Sequence, residues 1–90
     1  MSVRVEMSPI FAQYTDNQLV LRAKGSTVGE CLDYLIEQFP DLKSALFDKN
    51  GRLYRYIDIY VNGESAYPEE LAKPVKNGDK LNILILVAGG

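Results

Sequence analysis

Apolar and polar residues alternate at the start of the chain, where Val3, Val5 and Met7 are separated by Arg4 and Glu6. Residues two apart share one face of a strand, so this stretch predicts a half-buried strand. Pro9 ends it, because proline has no N–H to give the ladder. A loop carrying Phe11, Tyr14 and the turn-prone Asp16-Asn17 is expected next, followed by a second strand over residues 18–23. Lys24-Gly25-Ser26 breaks that strand. The period then changes. Val28, Cys31, Leu32, Leu35, Ile36 and Phe39 recur at helical spacing, with Glu30, Asp33, Glu37 and Gln38 on the other side. Thr27 and Glu30 have the spacing of a capping box, in which each side chain satisfies a backbone N–H at the helix start. The spacing predicts a helix over 27–39. Pro40 stops it, and a short turn with Leu42, Ala45 and Leu46 is expected to follow.

Asn50-Gly51 signals a turn. Residues 52–62 read as a strand with Ile57, Ile59 and Val61 on one face and Tyr54, Tyr56, Asp58 and Tyr60 on the other. Asn62-Gly63 turns again. Residues 66–75, with Pro68 and Pro74, are expected to be irregular apart from a helical turn at 69–71. Asn77-Gly78-Asp79 leads into a last strand over 80–87, with Leu81, Ile83, Ile85 and Val87 facing the helix. Leu84 and Leu86 then point away from it, as do Tyr56 and Tyr60. The order β-β-α-(turn)-β-loop-β, with one helix for one face of a sheet, is an α+β architecture.

Ninety residues, 47% hydrophobic and 24% charged, fit one soluble domain spanning 1–90. A net charge of −2 lacks the electrostatic footprint of a nucleic-acid or anionic-membrane binder. The Lys73, Lys76 and Lys80 run is too sparse to alter that. With no histidine and one cysteine, the chain cannot build a structural zinc site or a Ser–His or Cys–His nucleophile pair. No metal ligands and no catalytic residues are therefore assigned. Cys31 sits on the apolar stripe and reads as a small core residue, and Asp33 and Glu37 read as a solvated helix face. A single cysteine fits a reducing compartment. The alternating, charged start is unlike a signal peptide, and the apolar run 83–88 falls far short of the roughly 20 residues of a membrane helix. A cytoplasmic location is expected.

Gly89-Gly90 directly follows the last apolar strand. Glycine has no Cβ, so such a tail can enter a narrow channel. Residues 87–90 can reach about 13 Å at about 3.3 Å each, enough to carry a carboxylate into another protein's buried site. The plainer reading is a frayed end.

The β-β-α-β-β order, the turn Lys76-Asn77-Gly78-Asp79-Lys80 and the closing Val87-Ala88-Gly89-Gly90 resemble the MoaD/ThiS family of ubiquitin-like sulfur carriers over essentially the whole chain. The resemblance implies a single β-grasp domain, with a mixed sheet, one main helix across one face and a flexible C-terminal Gly-Gly tail at 87–90. Residues 51–62 resemble the cysteine-biosynthesis carriers more than those making molybdopterin, and Ile85-Leu86 stands where the latter often have proline. The resemblance further implies that an E1-like adenylating enzyme binds Val87, Ala88 and Gly89 and uses ATP to activate the Gly90 carboxylate. Sulfur then displaces AMP, and the Gly90 thiocarboxylate serves an acceptor such as cysteine synthase or the large subunit of molybdopterin synthase. The carrier itself needs no bound cofactor. If the last strands are neighbours, as in the family, Leu84, Leu86, Tyr56 and Tyr60 form a patch beside the tail that suits partner docking. A covering loop or homodimer is the alternative. Other readings are the small subunit of molybdopterin synthase, a ubiquitin-like modifier joining Gly90 to lysines, or an interaction module with an idle tail.

Overall fold

The two-residue period of the first segment gives β1 (Val3–Met7), with Val3, Val5 and Met7 buried and Arg4 exposed. In the computed structural model, which describes residues 2–86, β1 joins β2 (Val20–Ala23), β3 (Ile57–Val61), β4 (Glu64–Ser65) and β5 (Lys80–Ile85) in one sheet. The strand order is β2-β1-β5-β3-β4. The first and last strands run parallel at its centre, whereas the other pairings are antiparallel. The sheet is mixed, as expected.

The main helix, α1, spans Val28–Gln38 with Thr27 as its N-cap and Phe39 as its C-cap. Thr27 Oγ1 accepts from the Glu30 amide at 3.1 Å, which is half of the predicted capping box. The other half differs. Glu30 reaches one residue further back, accepting from the Ser26 amide at 2.7 Å and the Ser26 hydroxyl at 2.9 Å. Those bonds hold its carboxyl below the usual range, because they favour the ionised form. Gly25 makes this corner possible, since a Cβ there would lie 2.7 Å from Glu30 Cβ and 2.8 Å from the Cys31 nitrogen.

Val28, Cys31, Leu32 and Leu35 of α1 share one core with Val5, Ile59, Leu81 and Ile83 of the sheet. Leu42 and Leu46 of a short helix, α2 (Leu42–Leu46), complete it. Burial and the neighbouring Glu30 charge push the Cys31 thiol up, as befits a core residue and not a nucleophile. Ile36 and Phe39 are only partly buried at the core's margin.

Two expectations are corrected and one is extended. Residues 52–62 do not form one strand: Leu53 bridges back to Phe47, and the Ile57 amide donates to the Tyr54 carbonyl at 3.0 Å in a turn. The ladder of β3 with β5 begins at Ile57, opposite Ile85. The helical turn expected at 69–71 is present as a 3-10 turn, Glu70–Ala72, and the short strand β4 before it is an addition to the expected elements. Asn62 and Gly63 take φ of 50° and 86°, a hairpin turn that returns Glu64 and Ser65 to β3. Pro9–Tyr14 is a 3-10 turn, not a loop, and it buries Phe11.

Candidate functional site on the open sheet face

Both helices contribute to the buried face of the sheet, and its other face is left open to solvent. The alternation along β5 puts Leu81 and Ile83 in the core and Leu84 outside, 39% exposed. Leu86 is 53% exposed and Tyr56 is 44% exposed. Asp58 lies opposite Leu84 and Tyr60 lies opposite Asn82. One pair further on, the Leu86 amide donates to the Tyr56 carbonyl at 2.7 Å. The four residues expected to form the patch are thus brought to one face by the β3–β5 register, with Tyr60 half-buried. Ile85 is half-buried, and the inward position expected for Val87 lies outside the described residues. So do Ala88, Gly89 and Gly90.

Sequence reasoning left Tyr54 out of this surface. Its ring stacks on that of Tyr56, with centroids 5.0 Å apart and planes 10° from parallel. The signal was present in the Tyr54–Tyr56 spacing, but the turn at 54–57, not a strand, creates the stack. Asp58 gives the patch a polar element. By hydrogen bonding to the neutral phenol and by its charge, it pushes the Tyr60 pKa up.

Leu86 also borders a groove of about 990 Å³ whose walls include Tyr54, Arg55, Asp58, Tyr67 and Leu71. The described chain therefore ends where an apolar-aromatic face meets an open groove. Among the described residues, no group of three or more His, Cys, Asp or Glu is placed to hold a metal ion. Likewise, none of the described helices is long and apolar enough to cross a membrane.

A mixed sheet with its first and last strands parallel at the centre and one main helix across a single face is a ubiquitin-like β-grasp. The chain belongs to the ThiS family, which matches residues 10–90. It is 33% identical over 93 residues to the sulfur carrier protein CysO of Mycobacterium tuberculosis, with 100% of both chains covered. The fold superposes with a TM-score of 0.87 and 36% identity on a chain of the Amycolatopsis orientalis BexX/CysO complex, covering 98% of this chain and 99% of that one. Small archaeal modifier protein 1 of Haloferax volcanii gives a TM-score of 0.85 at 30% identity, with 100% of each chain covered. The family resemblance read from the sequence stands: this is a ubiquitin-like sulfur carrier protein similar to CysO.

Proposed function

We propose that the Gly90 carboxylate is the sulfur-bearing group and that Val87, Ala88 and Gly89 give an activating enzyme access to it. The supporting observation is the anchoring of Leu86 to Tyr56 on an open apolar face, so the tail leaves from a surface suited to a partner. The chain's one cysteine supports the same reading, because Cys31 is fully buried and cannot relay sulfur. A free carboxylate is a poor acyl donor because oxide is a very poor leaving group. Attack of a Gly90 carboxylate oxygen on the α-phosphorus of ATP releases pyrophosphate and leaves an acyl-adenylate. A sulfur nucleophile then attacks the carbonyl, AMP departs, and a thiocarboxylate remains. Its tether raises the effective concentration of sulfur at the acceptor.

Leu84, Leu86, Tyr56 and Tyr60 would dock the adenylating enzyme and the sulfur acceptor in turn. The acceptor we favour is a cysteine synthase, on the full-length similarity to CysO. The carrier brings no catalytic group or cofactor of its own to these steps.

A second reading is favoured by a specific observation: the chain is 38% identical over 65 residues to small archaeal modifier protein 1. The same acyl-adenylate can pass Gly90 to a lysine amine. Pyrophosphate release with ATP and the organism's adenylating enzyme, followed by sulfide addition and intact mass, tests both readings. Replacement of one oxygen by sulfur, lost on deleting Gly90, supports the carrier. Unchanged turnover by the deletion variant sinks the terminal assignment, and lysine conjugates in cell extracts favour the modifier.

A further inference from the structure

The sparse lysines at 73, 76 and 80 form no cluster in sequence, but the sheet register builds a different one. Arg4 of β1 lies directly opposite Arg22 of β2 on one side and opposite Lys80 of β5 on the other. All three are exposed and stand on the same open face as Leu84. With strands about 4.8 Å apart, the row spans about 10 Å of backbone. That separation is close to the screening length of about 8 Å at physiological salt, so the three charges act together.

Like charges directly opposite each other on a sheet are destabilising. Here two such pairs share Arg4 in a chain whose net charge is −2. The local relief is partial: Glu6 pairs with Arg4 at 2.8 Å, and among the described residues neither Arg22 nor Lys80 has an ion-pair partner. The open face is therefore divided. Its tail end is apolar and aromatic, and its far end is cationic. Nothing in the packing of the core requires that arrangement.

We propose that the Arg22–Arg4–Lys80 row docks an acidic surface of the adenylating enzyme, orienting the carrier while the apolar end makes the close contact. This rests on the carrier reading above, and deepens it by assigning the chemistry of the partner. Complementary charge acts mainly on encounter and register, and the apolar patch supplies burial. Two cations and a compensated third are too few for nucleic acid, where affinity follows the number of phosphates neutralised.

The test uses full-length chain carrying Arg22→Gln and Lys80→Gln together. Removing charges that repel Arg4 leaves the melting temperature at or above wild type, so lost binding would not report unfolding. Affinity for the organism's adenylating enzyme is expected to fall about tenfold at low salt, and its salt dependence to flatten. The same affinity and salt dependence as wild type would overturn the row's role, even with the tail still adenylated. Wild-type chain that released no pyrophosphate with that enzyme would overturn the carrier reading and the row's partner with it. Binding of a 20-nucleotide single-stranded DNA with the same sensitivity to the double substitution would also reject a protein partner.

Discussion

The Leu86 amide donates to the Tyr56 carbonyl at 2.7 Å, one pair beyond the end of β5. This bond ties the chain to the sheet at the edge of the aromatic surface, and so fixes the point from which residues 87–90 start. Leu86→Pro removes the donor. A single hydrogen bond contributes about 0.5–1.5 kcal/mol, so a small fall in melting temperature is expected. A larger fall in the rate of pyrophosphate release should accompany it, because the tail's starting point is no longer held. Equal rates for variant and wild type would show that the anchor is irrelevant to activation.

Leu84 is exposed and makes no part of the core. Leu84→Asp should therefore melt within a few degrees of wild type while binding the adenylating enzyme at least about tenfold more weakly, or about 1.4 kcal/mol. Titration calorimetry on the folded variant decides this. Wild-type affinity would remove the patch from the interface.

Leu35 is fully buried where α1 meets the sheet. Leu35→Ala should cost about 2–5 kcal/mol, from lost burial and the cavity left behind. Urea unfolding at constant slope is the appropriate measurement. A midpoint equal to wild type would mean that α1 does not hold the core together.

Asp79, just before β5, is tied to Asn62, just after β3. It accepts from Asn62 Nδ2 at 3.0 Å and from the Lys76 amide at 2.8 Å, and these bonds hold its carboxyl below the ordinary 3.8. A depressed folded-state value contributes stability above the unfolded value, which is lost as pH falls through the folded one. Asp79→Asn should accordingly melt below wild type at neutral pH. The difference should shrink on acidification below the ordinary aspartate range, as the wild-type carboxylate becomes protonated. Parallel melting curves whose separation ignores pH would contradict this account.

Much of this protein was legible from local periods. The alternation of Val3, Val5 and Met7, the Thr27 cap and the apolar stripe of α1 each follow from side-chain geometry within a few residues, and each appears where the pattern puts it. The outward positions of Leu84 and Tyr60 were also available, because alternation assigns a face before any partner is known. Pairing is another matter. Residues 54–56 alternate as a strand would, but they turn, with the Ile57 amide closing back on the Tyr54 carbonyl before β3 begins. Glu64 and Ser65 are too few to show a period, and only the hairpin turn reveals them. The parallel contact of β1 with β5 joins the two ends of the chain. That contact depends on burying both strands beneath α1, a non-local gain that must exceed the entropy of closing a long loop. Sequence alone therefore determined which way the side chains face along β1, α1 and β5. Tertiary structure decided which strands lie side by side, and with that it brought Tyr56 to Leu86 and Arg22 and Lys80 to either side of Arg4.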